Sequence, residues 1–231
     1  MSPSKAINKQ SFDGLNREIL KCTKCPRLIK HCKQVAKEKR KSFASWEYWG
    51  KPVPNFGSYP SKLLIVGLAP AAHGANRTGR IFTGDNSGLW LYRAMYRAGF
   101  ANQERSESLN DGLQPIDASI TCVAHCAPPE NKLTPSEALN CSEFLKSTIQ
   151  LSKAKVIIAL GKIAWDSVLK EVIGADQATK KPKFSHGQIV KLKNCVLIAS
   201  YHPSQQNTFT KRLTENMLDD VFLKAKTISI E

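Results

Sequence analysis

The sequence predicts an α/β fold in which a parallel sheet carries helices on both faces. Three observations predict it. Short apolar runs of strand length recur along the chain, amphipathic stretches of helix length separate them, and most runs end at glycine or at polar residues that begin a loop. With 231 residues, of which 42% are apolar, the chain is long enough to bury one sizeable core. We therefore expect a single domain over residues 1–231.

The predicted strands are four short runs that are apolar almost throughout. An uninterrupted apolar run indicates a strand that is buried on both faces, as in a parallel sheet, rather than one with a solvated face. The four runs are Lys62–Leu68, Ala118–Ala124, Lys155–Leu160 and Cys195–Ser200.

The predicted helices lie before and between these strands. Thr134 followed by Pro135 and Glu137 is typical of a helix start, with a cap, a proline in the first turn and an early carboxylate. The helices are expected at Phe12–Leu20, Pro26–Lys41, Gly88–Gly99, Pro135–Ser152, Ile163–Val172 and Phe209–Lys226.

The chain divides into an N-terminal helical segment and an α/β core. The first two helices form the segment, residues 1–45, and the core spans residues 62–226. Between them, Ser42–Pro60 is rich in aromatic and turn-forming residues, which predicts an irregular loop without regular structure. Asn102–Pro115 is polar and predicts a surface loop.

The charge balance indicates a polyanionic partner. The chain has 34 Lys and Arg against 19 Asp and Glu, a net charge of +15. Nucleic acid is the commonest such partner, although an anionic membrane surface, or an organism whose proteins are all basic, would also account for the charge. Met1–Gln10 has no apolar run, and no window is long and apolar enough to span a membrane. These features predict a cytoplasmic protein without a membrane partner.

The seven cysteines indicate metal ligands or buried thiols rather than disulfides, since the cytosol keeps thiols reduced. Cys22 and Cys25 have the short spacing with which one turn ligates one centre, and Cys126 and Cys141 could complete a set of four. Zinc, an iron–sulfur cluster and unliganded thiols all remain compatible with this spacing. Cys32, Cys122 and Cys195 are left without an assigned function.

Three segments that follow predicted strands are unusual in composition. In a doubly wound sheet the ligand lies beyond the carboxyl ends of the strands, so these segments are the expected site. The first is rich in glycine and small residues, which let a ligand approach the backbone closely. The segments are GLAPAAHGANRTGRIFTGDNSG from Gly67, CAPPENKLTP from Cys126 and YHPSQQNT from Tyr201.

These three motifs resemble those of the family 5 (type b) uracil-DNA glycosylases, over roughly Lys62 to Leu218. The resemblance implies a three-layer α/β/α sandwich with a central four-stranded parallel sheet, and hydrolysis of the bond between base and deoxyribose. It also implies a [4Fe–4S] cluster on Cys22, Cys25, Cys126 and Cys141. Leu68 stands where the related family 4 enzymes have Glu, which favours family 5 and is compatible with its broader substrate range.

The resemblance also implies roles for four residues, each of which has a simpler structural alternative. A glycosylase must flip its nucleotide into a pocket and read the base there. Phe82 matches the residue that stacks on the base, and otherwise is a core aromatic; Asn131 matches the residue that contacts the base edge, and otherwise is a turn or cap residue. Asp85 matches the residue that positions or activates water, and otherwise caps a helix. His202 matches the residue that stabilises the leaving pyrimidine, and otherwise is structural.

Further residues are expected around the base and the DNA strand. The resemblance places Ala69 and His73 in the lining of the base pocket. A polar loop is expected to pinch the DNA backbone and fill the gap left by the flipped base; it comprises Ser204, Gln205, Gln206 and Asn207. Arg77 and Arg80 are expected to supply charge to nearby phosphates, although each alone would otherwise be a solvated surface charge.

The sequence therefore predicts a monofunctional DNA repair glycosylase that removes uracil, and other deaminated or modified bases, and leaves an abasic site. The expected substrate is double-stranded DNA, with single-stranded DNA also open, and the expected state is a monomer. The cluster is expected to tether the N-terminal segment and to do no redox chemistry on the base. The alternatives are a family 4-like uracil-DNA glycosylase and a non-catalytic nucleic-acid-binding protein with a structural metal.

Overall fold

The fold centres on a six-stranded sheet in the computed structural model, which describes residues 11–173 and 182–230. The strands are β1 Phe56–Gly57, β2 Leu63–Gly67, β3 Ala118–Cys122, β4 Val156–Leu160, β5 Ile189–Lys191 and β6 Val196–Ser200. Their order is β1-β3-β2-β4-β6-β5. The central four, β3, β2, β4 and β6, run parallel, whereas β1 and β5 pair antiparallel at the two edges. The predicted four-stranded parallel sheet is confirmed, with two unpredicted edge strands.

Eight α-helices surround this sheet in the described part of the chain. They are α1 Phe12–Leu20, α2 Pro26–Glu38, α3 Ala75–Thr78, α4 Asn86–Arg97, α5 Pro135–Ser152, α6 Lys162–Ile173, α7 Gln205–Phe209 and α8 Glu215–Ile230. The single helix predicted over Phe209–Lys226 is wrong at its start. Lys211 has a positive φ of 56°, which interrupts the helix, and the Thr214 hydroxyl accepts from the Met217 backbone N–H (3.3 Å) as α8 begins.

The central strands are buried on both faces, which explains why their sequences lack alternation. On one face Leu63 and Ile65 of β2 pack with residues of α4 and α8. On the other face Leu64 and Val66 pack with residues of α5 and α6. The result is the expected three-layer α/β/α sandwich.

The N-terminal helices extend the layer that contains α5. Leu15 and Ile19 of α1 form a buried cluster with Cys141 and Phe144 of α5. Helix α1 is therefore packed onto the core, and no helix of the described residues is long and apolar enough to cross a membrane.

The strand order places a crevice at the carboxyl ends of β2 and β4. The chain leaves β2 toward β3 on one side and later returns to β4 on the other, so the loops after β2 and β4 diverge. Ligands of doubly wound sheets bind at such a switch point. All three unusual segments begin at this edge, because they follow β2, β3 and β6.

Candidate active site

Phe82 lies against the backbone at the carboxyl end of β2. A Cβ atom added at Gly67 would lie only 2.9 Å from two atoms of the Phe82 ring, so only glycine allows this contact. Phe82 itself has a positive φ of 53° and is 7% exposed. Its ring centroid lies 5.8 Å from that of His202, at an interplanar angle of 33°. The motif loop after β2 and the strand end of β6 thus meet at one aromatic pair.

His202 is held as a neutral imidazole at neutral pH. Burial lowers the pKa of His202 to about 4, because a charged ring would lose its hydration there. Its backbone carbonyl accepts from the Asn207 side-chain amide (2.9 Å), which fixes the turn that carries it. A neutral imidazole can donate one hydrogen bond, but it is not a strong acid.

Asp85 caps α4 and is at the same time a partly buried carboxylate. Its Oδ1 accepts from the Gly88 backbone N–H (2.8 Å), and its other oxygen lies so close to Gly74 that any side chain there would collide with it. Burial raises the pKa of Asp85, while the amides of Gly88 and Ser87 and the charge of Arg77 oppose the rise. The position of Asp85 is therefore compatible with both expectations from the sequence, a helix cap and a carboxylate that positions or activates water.

His73 lies on the motif loop that also carries Ala69, and both residues are partly buried. The His73 Nδ1 atom and the Tyr48 hydroxyl are 3.1 Å apart and share a hydrogen bond. Burial lowers the pKa of His73, and the nearby charges of Arg40 and Arg77 lower it further. Tyr48 was not predicted as a site residue, and its signal in the sequence was only its place in an aromatic-rich loop.

Asn131 and the polar loop after β6 are accessible from this edge. Asn131 is exposed and has a positive φ of 56°, which presents its amide from a tight turn after Pro129. The Ser204 hydroxyl accepts from the Asn207 backbone N–H (3.4 Å) and caps α7. Gln205 and Gln206 are exposed at the start of that helix.

Arg80 requires a correction to the sequence prediction. It was expected at the surface near phosphates, but it is only 3% exposed, and its guanidinium donates to both carboxylate oxygens of Asp111 (2.7 Å each), to Thr83 and to Ser106. These bonds engage the charge inside the protein. Arg80 therefore holds the loop after β2 to the loop that contains Asp111, and offers no exposed charge to DNA.

Arg77 is also 3% exposed, which corrects the same expectation of a solvated phosphate contact. Its Nε donates to the His73 carbonyl (2.8 Å) and one terminal nitrogen donates to the Gly84 carbonyl (2.8 Å). Arg77 thus fixes the loop between His73 and Asp85. Unlike Arg80, it forms no ion pair with a carboxylate of the residues that the structure describes, and it lines a cavity together with Asp85.

The four predicted ligand cysteines come from separate elements and lie in two adjoining apolar clusters. Cys22 follows α1 and packs with Cys141 of α5, while Cys25 at the start of α2 packs with Cys126, which follows β3. Leu133 packs against both clusters. All seven cysteines are free thiols.

The pKa values of Cys141 and Cys126 are both raised, that of Cys126 chiefly by a hydrogen bond with Cys32, which lies outside the predicted ligand set. Burial raises the pKa of Cys141 to about 11, and Cys22 and Cys25 add to the rise. Asn140 Nδ2 lies 3.5 Å from the Cys25 Sγ atom. Within the described residues, no three His, Cys, Asp or Glu side chains form the compact group that a single metal ion needs. Four thiols are nevertheless the donor set that a [4Fe–4S] cluster takes, so the chemistry of these side chains fits that group.

Similarity to known proteins identifies the family of the chain. The family model of the Uracil DNA glycosylase superfamily matches residues 54–226, which include the whole sheet. This doubly wound α/β protein, with its three motif segments at the carboxyl edge of the sheet, is thus a member of the uracil-DNA glycosylase superfamily.

Individual relatives show to which type of uracil-DNA glycosylase the chain is most similar. The type-5 uracil-DNA glycosylase of Mycobacterium leprae is 49% identical over 222 residues, covering 95% of this chain and 96% of that protein. That of Pyrobaculum aerophilum is 40% identical over 214 residues, covering 93% and 92%. A type-4 uracil-DNA glycosylase of Archaeoglobus fulgidus is 28% identical over 156 residues, covering 67% and 62%. The chain belongs to the type-5 uracil-DNA glycosylase family, and the family 4-like alternative is set aside.

Proposed function

We propose that this protein flips uracil out of DNA and hydrolyses its N-glycosidic bond, leaving an abasic site. The observation that carries the proposal is the Phe82–His202 aromatic pair at the carboxyl ends of β2 and β6, where Phe82 rests on the Gly67 backbone and the same loop carries the partly buried Asp85 carboxylate. A flat ring, a neutral hydrogen-bond donor and a carboxylate are the three groups that base excision needs. The type-5 relatives named above support the same activity.

The flipped base stacks on Phe82. Stacking on an aromatic ring suits any planar base. Gly67 has no side chain and so lets the Phe82 ring lie against the β2 backbone, and Ala69 adds only a methyl group to the pocket lining. Asn131 hydrogen-bonds the base edge, and His73 lines the entrance. Leu68 adds no polar group, which fits a pocket that also accepts other deaminated or modified bases.

His202 stabilises the leaving pyrimidine. As the glycosidic bond breaks, negative charge develops on the base and its carbonyl oxygens. Because the His202 ring stays neutral above about pH 4, it donates a hydrogen bond to such an oxygen without giving up a full proton.

Asp85 acts on the sugar side. Its carboxylate orients the attacking water and stabilises the positive charge that develops on the deoxyribose. The segments that carry Phe82, Asp85 and His202 contain no lysine, so no amine is at hand for a covalent imine with the sugar. The enzyme is therefore monofunctional, and the strand remains intact.

The cysteines Cys22, Cys25, Cys126 and Cys141 would hold a [4Fe–4S] cluster. When bound, the cluster supplies a fixed cross-link between the N-terminal segment, the loop after β3 and α5, with no redox step on the base. Above it, α2 exposes Lys30, Lys33 and Lys37, so the cross-link orders a basic surface.

The substrate is double-stranded DNA, with single-stranded DNA as a second substrate, and the protein acts as a monomer. The net charge of +15 supports a nucleic-acid partner. The unpaired state of all seven cysteines supports a reducing compartment, and we propose the cytoplasm.

A base-release assay on a uracil-containing duplex, extended to a panel of deaminated bases, tests this proposal. Wild type should release uracil, and Asp85→Ala and His202→Ala should each release it about 100-fold or more slowly while folded. Release that neither substitution reduces would remove the proposed roles. A protein that releases no base from any damaged duplex would instead be a non-catalytic nucleic-acid-binding protein.

A further inference from the structure

His186 lies beside the strand end that carries His202, and the chemistry proposed above does not use it. It stands in the segment that leads into β5, and its ring stacks on that of Tyr201, with the ring centroids 5.1 Å apart and an interplanar angle of 30°. Tyr201 directly precedes His202. A group that fixes the backbone of Tyr201 therefore also fixes the peptide that carries His202.

Two hydrogen bonds define the protonation state of the His186 ring. The Tyr201 backbone N–H donates to Nδ1 (3.1 Å), so Nδ1 must carry a free lone pair. The Met217 carbonyl beside Nε2 (3.2 Å) can only accept, so Nε2 must carry the proton. Only the neutral ring with its proton on Nε2 satisfies both bonds at once.

A glycine bulge turns the His186 side chain toward Tyr201. The Gly187 N–H donates to the Ala199 carbonyl (2.8 Å), and the Ala199 N–H donates to the Gln188 carbonyl (2.9 Å), so two residues of this edge lie opposite one residue of β6. Gly187 has a φ of 77°, which glycine adopts without steric cost. Beyond the bulge, the imidazole of His186 takes the place of a backbone carbonyl and accepts the next N–H along this edge, that of Tyr201.

The segment around His186 is packed on the sandwich. The indole N–H of Trp165 on α6 donates to the Pro182 carbonyl (3.0 Å). The ring centroid of Phe184 lies 6.3 Å from that of Trp165 and 6.0 Å from that of Tyr201. These contacts hold the segment, and with it the imidazole, against the end of β6.

The charges that face His186 come from α8 and from one arginine. Burial lowers the pKa of His186, and the Met217 carbonyl opposes the fall. Of the two charges on α8, Lys224 lowers the pKa further and Asp220 raises it. The Arg212 guanidinium lies over the ring that stacks on His186, 4.7 Å from its centroid. The neutral ring therefore predominates at neutral pH and becomes charged only below the usual value of 6.5.

We propose that His186 is a pH-dependent positioning residue for His202: as the neutral ring it accepts the Tyr201 N–H and holds His202 against the leaving base. In the protonated ring both nitrogens carry protons, so Nδ1 faces the Tyr201 N–H as a second donor and the bond is lost. The inference rests on the proposed function, because it needs His202 to stabilise the leaving pyrimidine. A hydrogen bond to a developing charge depends steeply on position, so a small shift slows base release more than it weakens DNA binding.

Two substitutions at His186 separate the acceptor from the ring. In His186→Asn the side-chain oxygen stands where Nδ1 stood and accepts the Tyr201 N–H, whereas His186→Phe keeps a stacked ring without an acceptor. In single turnovers at neutral pH, we expect His186→Phe to release uracil about tenfold more slowly than wild type, and His186→Asn to stay within about threefold of it. Both should bind a duplex with an uncleavable deoxyuridine analogue within about twofold of wild type. The opposite order of release rates would show that the ring serves only as packing.

The pH profile is a measurement that packing alone would not change. The release rate of His186→Asn relative to wild type should rise up to about tenfold as the pH is lowered through the titration of His186, since Asp85 and His202 titrate in both proteins. A ratio that stayed constant would overturn the proposal. Hydrogen exchange of the Tyr201 amide, followed by NMR, should be slow in wild type and His186→Asn and fast in His186→Phe. An amide that stayed equally protected in His186→Phe would show that the imidazole does not hold Tyr201.

Leu192→Ala is the matched control for lost packing. Leu192 is partly buried at the far end of the hairpin of β5 and β6, where its N–H donates to the Cys195 carbonyl (2.8 Å). Its truncation should lower the unfolding temperature without slowing uracil release or altering the pH profile.

Two failures are distinguishable. If His202→Ala releases uracil as fast as wild type, the proposed role of His202 fails, and with it this inference. If His202→Ala is slow but folded His186→Phe is as fast as wild type, His186 does not position His202, although the proposed function stands.

Discussion

Asp85 caps α4, and in the proposed function the same carboxylate also has a chemical task. One oxygen caps α4 through the Gly88 N–H, which fixes the orientation of the group and leaves the other oxygen beside Gly74. Burial raises the pKa of the carboxyl, whereas two backbone amides and Arg77 favour the charged form. The helix cap thus holds a partly buried charge in a fixed place, which is what the proposed function requires of Asp85.

Substitution at Asp85 separates these two tasks. Asn is as good a cap as Asp but carries no charge, so Asp85→Asn should keep the stability within roughly 0.5 kcal/mol while uracil release falls about 100- to 1,000-fold. Asp85→Ala should lose the same activity and in addition about 1 kcal/mol of stability. Single-turnover release and thermal unfolding measure the two quantities.

A matched control for the cap is Ser11→Ala. Its hydroxyl accepts from the Gly14 N–H (3.0 Å) at the start of α1, so its loss should cost similar stability without slowing uracil release. An Asp85→Asn variant that releases uracil at the wild-type rate would contradict a chemical task for the charge.

For single residues, the sequence motifs indicate which side chains belong to the candidate site, but not which residues those side chains contact. The motifs identified Phe82 and His202, but only the folded chain shows that Phe82 rests on Gly67, since the two meet across a loop of fourteen intervening residues. Arg80 was misplaced because its carboxylate partner, Asp111, lies 31 positions away in a loop with no pattern of its own. A basic residue in a loop does not reveal whether it is solvated or buried.

Among the elements, the central strands and most helices follow from apolar pattern alone, because each buries a continuous face. The edge strands do not. β1 has two residues and β5 three, too few for any periodicity, and β5 has mostly exposed side chains. The break between α7 and α8 depends on one positive φ at Lys211, which the sequence does not signal.

A charged link connects the N-terminal segment to the core at the element scale. Arg27 on α2 donates to both carboxylate oxygens of Glu137 at the start of α5 (2.7 Å each). Glu137 also accepts from the Thr134 backbone N–H (2.9 Å) and so completes the capping box of α5. The link lies close to Cys25, which directly precedes α2, and to Cys141 of α5.

Replacing Glu137 by Gln should therefore weaken the protein in a pH-dependent way. The hydrogen bonds from Arg27, and then those of the cap, lower the pKa of Glu137 to about 2. A lowered carboxyl pKa stabilises the fold above the unfolded value of 4.5, and this contribution is lost as pH falls from there toward 2. Glu137→Gln should unfold roughly 2–5 °C lower at pH 7.

The difference in unfolding temperature between Glu137→Gln and wild type should shrink as the pH falls below about 4.5, when both are measured in the same buffers. Glu143→Gln, on the same helix but with a side chain 67% exposed, is the control and should differ little from wild type at any pH. A gap that stayed constant down to pH 3 would show that the charge of Glu137 does not contribute.

For the whole molecule, the arrangement joins a rigid chemical centre to a basic surface. The reaction groups stand on strand ends and helix caps of the sandwich, while α2 lies on the cysteine cluster with exposed lysines along one side. Composition predicted a polyanion partner, but not where the charge would lie. In the proposed function the cysteines decide this, since a cluster held by them would fix α2 to the core.

Removing one ligand tests whether the cluster orders this surface or acts on the base. Cys25→Ser should contain less iron and expose α1 and α2 to limited proteolysis. Its affinity for uracil DNA should fall roughly tenfold, since lysine contacts with phosphates are lost, while uracil release at saturating DNA changes less than threefold.

Cys195→Ser, just before β6, is the control and should keep wild-type iron, affinity and protease resistance. A Cys25→Ser protein with full iron content would contradict the ligand assignment. Wild-type protein whose reduced and oxidised forms bind DNA equally but release uracil at very different rates would contradict a purely structural cluster.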